Sequence, residues 1–320
     1  VAGSKYLSSV DIKSFFLSLP LHPESKRFVG LATRRHSYCF NFLPLGLSTA
    51  PLSATSFLME ALPPYLRATC LSFVDDLICL NPGGTLEEHV KIVNSLFEVF
   101  EYYHILIPID KLSLFQEKVD YLGFRVSGKA VEILPERITQ IYEFEPANRN
   151  DIAKFIGMLG FVSHFIPGYS AKTKPLYHLL KKDTKFKLGT SEKALIYELK
   201  KAVHEAPCLA FMTHDLPIHC TVDSSDFATG AVIHQEWSGR KHIVKYWSSA
   251  FSDHEMRILS TCEKELFGVL KFIDAHPEIF QSNSEVILTV DNEAILSVLA
   301  KISVSNNAKL LRYSFRFYAI

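Results

Sequence analysis

No apolar run in the 320 residues reaches the ~18–20 needed to cross a bilayer, so a membrane-spanning role is not expected. Charged residues are few, at 21%, against 48% hydrophobic side chains; that composition excludes a disordered chain and can fill two or three cores. No Cys-x-x-Cys pair occurs. The cysteines, at 39, 70, 79, 208, 220 and 262, stand singly, and none lies at zinc-ligand spacing from a histidine. Five of the six lie in apolar or strand-like contexts, which predicts buried free thiols in a reducing, intracellular, cytoplasmic setting. There is no repeat, no low-complexity tract and no signal-peptide pattern. A strand-like segment starts almost at Val1, so the chain is expected to be a fragment or a processed piece.

Net charge is also missing, since 34 basic side chains balance 34 acidic ones. The distribution is uneven. Residues 1–145 hold 13 basic and 16 acidic residues, residues 146–207 hold 11 and 5, and residues 208–320 hold 10 and 13. Acidic ends suit metal-binding carboxylates, and a basic middle suits phosphate contact; on charge alone, solvated lysine-rich helices explain the middle equally well.

What is present is a changing periodicity. Tyr6–Ile12 predicts a strand ending in an acid, and Ser37–Phe42 a strand with Tyr38, Phe40 and Phe42 on one face. Leu45–Leu62 predicts a helix stopped by Pro63-Pro64. Leu71–Val74 and Leu77–Leu80 predict a hairpin with Asp75-Asp76 at its tip. Thr85 and Glu88 form a capping box opening a helix over Glu87–Tyr103, and Val119–Val126 predicts one strand with Gly123 inside it. From Pro135 to about Pro207 the pattern is helical, with helices over Ile152–Phe165 and Ser191–Ala206. Strands at Ile218–Asp223, Ala228–Gln235 and His242–Ser248, a helix at Cys262–Ala275, a strand at Glu285–Val290 and a helix at Glu293–Ile302 complete the order.

An Asp at a strand end, or an Asp pair in a turn, is by itself more often structural than catalytic. Asp11 and Asp75-Asp76 carry more together, because carboxylates on neighbouring strands can hold two divalent cations ~3.5–4 Å apart. The motifs Val10-Asp11-Ile12-Lys13-Ser14-Phe15-Phe16, Leu43-Pro44-Leu45-Gly46-Leu47-Ser48-Thr49-Ala50-Pro51, Phe73-Val74-Asp75-Asp76 and Tyr121-Leu122-Gly123-Phe124 stand in that order. They resemble the successive polymerase motifs of reverse transcriptases, most nearly those of gypsy-type long-terminal-repeat retrotransposons. The stretch Phe155–Gly160 through Phe165-Ile166-Pro167 resembles the segment that follows the palm there. The resemblance implies that Asp11, Asp75 and Asp76 hold the catalytic metals. It places Ile12, Phe15, Phe16, Leu45 and Gly46 at the nucleotide, with Phe16 excluding a 2′-hydroxyl. Lys111 would protonate the leaving pyrophosphate, and Leu122, Gly123 and Phe124 would form the primer grip.

The second acidic end resembles the ribonuclease H region of the same elements. Asp223 lies inside a strand, Glu265 at the start of a helix and Asp291 at the end of another strand; the resemblance makes all three metal-binding and catalytic, and leaves Glu263 facing solvent. The family's fourth acid has no counterpart, since no Asp or Glu follows Glu293, unless Asp226 or Glu293 substitutes. The implied fold is a multidomain α+β and α/β chain. A palm lacking most of its fingers covers 1–134, a helical thumb 135–182, a connection 183–210, and a C-terminally shortened ribonuclease H-like domain 211–320. The implied cofactors are Mg²⁺ or Mn²⁺, two per active site. The implied partners are RNA template, primer, RNA–DNA hybrid and deoxynucleoside triphosphates, with a second copy or polyprotein neighbours (protease, integrase) and a virus-like particle for the parent element. The chain alone is expected to be weakly active. Two rivals are a non-catalytic remnant that binds nucleic acid or a partner, and another palm-type polymerase of the intron or telomerase kind, which the ribonuclease H signal disfavours.

Overall fold

The computed structural model describes residues 1–182, 186–213, 215–282 and 284–290. The chain divides into two compact units, Val1–Ala130 and Val131–Ile320. Among the described residues no helix is long and apolar enough to cross a membrane.

The first unit is built on β1 (Ser4–Asp11), with α1 (Phe15–Ser18) directly after it. A small exposed hairpin of β2 (Gly30–Ala32) and β3 (Ser37–Cys39) follows, then α2 (Ala50–Ala61), α3 (Pro64–Thr69), β4 (Cys70–Phe73), β5 (Asp76–Pro82) and α4 (Leu86–Tyr102). β6 (Ser113–Gln116), β7 (Lys118–Tyr121) and β8 (Phe124–Ser127) close the unit. The main sheet has the order β4-β5-β1-β6. Its core gathers Val10, Ile12 and Phe15 from the first strand and helix, Ala54 and Leu58 from α2, and Val93, Leu96 and Phe100 from α4. The α4 residues recur at three- and four-residue spacing, the stripe a helix needs to bury one face. The predicted capping box forms, with Thr85 Oγ1 accepting from Glu88 N–H and Glu88 accepting from Thr85 N–H.

Three predicted elements differ. The helix expected from Leu45 begins at Ala50, because Gly46 takes a φ of +92° and Pro51 lies in the helix's first turn, where its missing N–H costs nothing. Pro63 ends that helix, and Pro64 then opens α3. The strand expected over Ser37–Phe42 stops at Cys39, and its aromatic face is not buried: Tyr38 and Phe42 are exposed. The single strand expected over Val119–Val126 is a hairpin, because Leu122 and Gly123 have φ of +49° and +76° and turn the chain between paired Tyr121 and Phe124. Positive φ at both central residues is the mark of a type I′ turn.

β9 (Ala130–Ile133) straddles the boundary between the units and lies beside β10 (Leu209–Ala210). Between them run α5 (Pro135–Glu143), α6 (Arg149–Phe161), α7 (Tyr169–Leu179) and α8 (Thr190–His204). The predicted helix over Ile152–Phe165 leaves α geometry at Phe161 and finishes as a 3₁₀ turn over Ser163–Phe165. The rest is β11 (Ile218–Ser224), β12 (Ala228–Trp237), β13 (Arg240–Ala250), α9 (Asp253–Ile258), α10 (Thr261–Ala275), α11 (Pro277–Phe280) and β14 (Val286–Val290). The sheet order is β13-β12-β11-β14, with β11 parallel to β14 and antiparallel to β12. Val269, Phe272 and Ile273 of α10 pack on Cys220, Val222, Ala231 and Ile233. The helix predicted over Glu293–Ile302 lies outside the described residues.

Gly268 sets how closely α10 approaches that sheet. A Cβ there would stand 2.2 Å from Ser224 Oγ and 2.6 Å from Thr229 Oγ1. Alanine favours a helix by about 1 kcal/mol over glycine, but overpacking a tight interface costs about 1–3 kcal/mol, and both contacted side chains hang from strands that cannot retreat. Gly268→Ala is therefore expected to lower the stability of the second unit, read as a decreased urea midpoint at unchanged slope. A raised midpoint would show that α10 is free to move outward.

Candidate active-site carboxylates

In the first unit the carboxylates are placed by strand register. Asp11, the last residue of β1, is the direct cross-strand partner of Asp76, the first residue of β5. Asp76 also pairs with Phe73 across the β4–β5 hairpin, leaving Val74-Asp75 as a two-residue loop. The Ile12 N–H donates to the Asp75 carbonyl at 2.9 Å, tying the loop to the end of β1. Val74 holds a φ of +57°, a region that β-branched residues avoid at a cost of about 1–3 kcal/mol. Strain therefore sits at the hairpin tip that presents the acids.

The charges are crowded. Burial pushes the Asp76 carboxyl above the usual carboxylate range, and Asp75 and Asp11 push it further, while Lys111 opposes them. Lys111 forms an ion pair with Asp11, and that bond raises the lysine above its ordinary value. It stands at the end of a 3₁₀ turn, Ile109–Lys111. The Tyr121 phenol is pushed up to about 12 by burial and by Asp76. Tyr121 belongs to a motif noted in the sequence, but its closeness to Asp76 required the fold.

The other predicted residues divide. Ile12 and Phe15 are buried in the core, and the Phe15 ring lies 6.5 Å from that of Phe16 and 6.4 Å from that of Phe57. Phe15 is thus a core residue and not a nucleotide contact; the side chain of Ile12 is core as well, leaving its backbone at the site. Phe16 is half-buried against the same core. Leu45 is 69% exposed, and Gly46 has open space around it. Leu122, Gly123 and Phe124 form the β7–β8 turn and its edge.

In the second unit Asp223 is exposed near the end of β11, opposite Gly230. With Thr221, Gly230, Tyr246 and Ser248 it lines a cavity of about 320 Å³ beside Gly168 and Ala171. Strand alternation puts this face opposite the one on which Val222 meets α10. Glu265 is buried on α10. Glu263 does not simply face solvent: it closes a capping box with Ser260 at the start of α10. Asp226, weighed above as a substitute acid, is paired with Lys264 at 2.7 Å. Asp291 lies outside the described residues.

The donor chemistry fits a hard divalent cation, since both predicted sets offer only carboxylate oxygens. Among the described residues no three His, Cys, Asp or Glu side chains are gathered closely enough to hold an ion as they stand.

Two segments of the chain match known families. Residues 1–126 match the family model described as reverse transcriptase (RNA-dependent DNA polymerase), and residues 188–288 match that of the RNase H-like domain found in reverse transcriptase. The chain carries a reverse-transcriptase domain and a ribonuclease H-like domain. It is homologous to the Transposon Tf2-3 and Tf2-7 polyproteins of Schizosaccharomyces pombe, with 24% identity over 316 residues in each case. These matches cover 98% of this chain and 24% of each relative, so the chain spans about a quarter of the length of those relatives. The fold is that of a foamy viral protease-reverse transcriptase dRH in complex with double-stranded DNA. There the TM-score is 0.82 at 19% identity, over all of this chain and 56% of that one. A foamy viral protease-reverse transcriptase in complex with RNA/DNA hybrid gives 0.81 at 19% identity, over 99% and 43%.

The crowding in the reverse-transcriptase domain has a pH signature. A carboxyl whose folded value is raised destabilises the native state once it ionises; the penalty is absent at acid pH and grows as pH rises through the ordinary carboxyl value to the raised one. Asp76→Asn is therefore expected to raise the urea midpoint at pH 7, by less than about 1 kcal/mol given partial exposure, with the gain shrinking toward acid pH. A destabilised variant at pH 7 would mean that Asp76 makes a net favourable contact.

Proposed function

We propose that this chain supplies the polymerase and ribonuclease H chemistry of a gypsy-type retrotransposon polyprotein. The observation that carries the reading is the register pair Asp11–Asp76 with Asp75 held beside it by the Ile12 N–H, in a segment matching reverse transcriptase. Asp11, Asp75 and Asp76 would hold Mg²⁺ or Mn²⁺, which when bound supplies charge stabilisation for phosphoryl transfer from a deoxynucleoside triphosphate. In the ribonuclease H-like domain Asp223, Glu265 and Asp291 would hold the ions with the Asp223 side chain turned past the end of β11 towards α10, since its face of the sheet is the other one.

The chain's own groups divide the remaining work. The β1–β5 register fixes the backbone at Asp11 and Asp76, so closing the carboxylates on an ion would take side-chain rotation rather than strand movement. Lys111 carries its proton at Nζ, held in the ion pair with Asp11; once Asp11 binds a cation instead, that pair would open and free Lys111 to give its proton to a leaving pyrophosphate oxygen. Phe16, fixed against the core, would exclude a ribose 2′-hydroxyl. The β7–β8 turn would bear on the primer. RNA template, primer and RNA–DNA hybrid are the partners this chemistry requires, and an intracellular, cytoplasmic particle is its proposed setting. A binding-only remnant is the second reading. It is favoured by one observation, that no three-acid cluster is closed among the described residues.

Primer extension decides between them. With Mg²⁺, a primed RNA template and deoxynucleotides, extension by this chain, or by a longer polypeptide containing it, is expected to fall at least about 100-fold in Asp75→Asn, a loss of roughly 3 kcal/mol of barrier lowering, with an unchanged circular dichroism spectrum. Extension that survives the substitution would overturn the assignment. Hybrid cleavage is expected to respond in the same way to Asp223→Asn.

Phe16→Ala is expected to raise ribonucleotide incorporation relative to deoxynucleotide by about tenfold or more, since a steric block worth ~1–3 kcal/mol is removed. The relative kcat/KM for the two nucleotides measures it. An unchanged ratio would place the discrimination elsewhere.

A further inference from the structure

Beneath the Asp75-Asp76 tip, the same hairpin carries two thiols. Cys70 of β4 and Cys79 of β5 are register partners. Their Sγ atoms are 3.4 Å apart, and both residues are buried. The hairpin geometry explains the approach. A two-residue loop makes Phe73 and Asp76 the closing, hydrogen-bonded pair of the turn. Antiparallel pairs then alternate: Ser72–Leu77 is a non-hydrogen-bonded pair, Leu71–Ile78 a hydrogen-bonded one, and Cys70–Cys79 non-hydrogen-bonded again. In such pairs the Cα atoms are about 4.5 Å apart and the side chains closest, inside the range of about 4.4–6.8 Å that a disulfide spans.

We propose that Cys70 and Cys79 form a redox-modification site, a dithiol that a hydroperoxide converts reversibly to an intra-hairpin disulfide. The Cys70 thiolate attacks one peroxide oxygen; the O–O bond breaks, hydroxide leaves, and Cys70 becomes a sulfenic acid. The Cys79 sulfur then attacks Cys70 Sγ; the S–S bond forms, the S–O bond breaks, and water leaves. Two thiols lose two electrons and two protons, and one peroxide becomes two waters. Cys70 keeps 5% exposure while Cys79 has none, which makes Cys70 the sulfur a small oxidant reaches first and so the attacking thiolate. Burial admits a water-sized oxidant in preference to a bulky disulfide. The product would staple the hairpin that carries Asp75 and Asp76.

The site can be read without any activity assay, so it stands or falls apart from the polymerase reading. Both cysteines lie in one tryptic peptide, Ala68–Lys91. The full chain, with Cys39, Cys208 and Cys262 replaced by serine, is treated with hydrogen peroxide, denatured, alkylated and digested. The peptide is expected about 2 Da lighter than its reduced form, carrying no alkyl group, and restored by dithiothreitol. A peptide that takes two alkyl groups, or gains oxygens on either sulfur, would overturn the proposal. In Cys79→Ala, Cys70 should stop at a sulfenic acid trapped by dimedone; should that variant not fold, Cys70→Ala with the roles exchanged serves. The equilibrium constant for disulfide formation against glutathione is expected to be at least about tenfold larger in the native chain than in urea, because the fold holds the sulfurs together. An equal or smaller native value would show that chain proximity alone joins them.

Discussion

The pairing of β1 with β5 is the constraint on which the candidate polymerase site depends. It sets Asp11 opposite Asp76, and a one-residue slip would turn every side chain of either strand to the other face. Burial guards against that slip. Leu7 and Val10 of β1 are nearly inaccessible and stand among Ser8, Ser9 and Asp11, so a slip of β1 would set polar groups where these two are buried, whereas β5 is apolar and buried on both faces from Leu77 to Leu80. The acids themselves oppose the arrangement, since Asp75 and Asp11 both raise Asp76. The apolar core therefore holds in place a set of charges that would separate if free, which is the condition in which an arriving cation or a lysine finds strong attraction.

β1 is anchored by more than apolar contact. Ser8 is fully buried, yet its hydroxyl shares a 2.8 Å hydrogen bond with His89 Nε2 of α4 and accepts from the Phe115 N–H of β6. One hydroxyl thereby joins three elements. Burial holds His89 below its ordinary value, which suits a neutral ring in that position. Nothing in local sequence marks this contact, because Ser8 and His89 lie 81 residues apart and neither follows a motif.

What the sequence did show was local chemistry with a short reach. The Asp-Asp hairpin, the Thr85–Glu88 capping box and the run of strands from Ile218 depend on neighbours a few residues away; all three appear in the fold, the hairpin with its loop one residue earlier, at Val74-Asp75, so that Asp76 opens β5. The misreadings share another cause. Gly123 looked like a glycine within a strand because Tyr121 and Phe124 are both apolar, and only the positive φ of Leu122 reveals the turn. Phe15 and Phe16 are adjacent and chemically alike, so motif position could not tell which ring enters the core; packing against Phe57 and the rest of that cluster decides it. Asp226 was a plausible extra ligand until Lys264, 38 residues away, was found bonded to it.

The two carboxylate sets also differ in how the fold commits them. In the reverse-transcriptase domain the acids come from two paired strands and one tight loop, so backbone hydrogen bonds fix where their main chain stands. In the ribonuclease H-like domain Asp223 stands near the end of an interior strand while Glu265 rides on α10, and side-chain packing sets the distance of that helix from the sheet. Gly268, three residues beyond Glu265, is where the approach is closest. A helix held by packing can shift by fractions of an ångström when a neighbouring side chain changes, whereas a strand pair shifts by a whole register or not at all. The second site should therefore be the more sensitive of the two to substitutions remote from its acids, and the first the more sensitive to those that loosen β1.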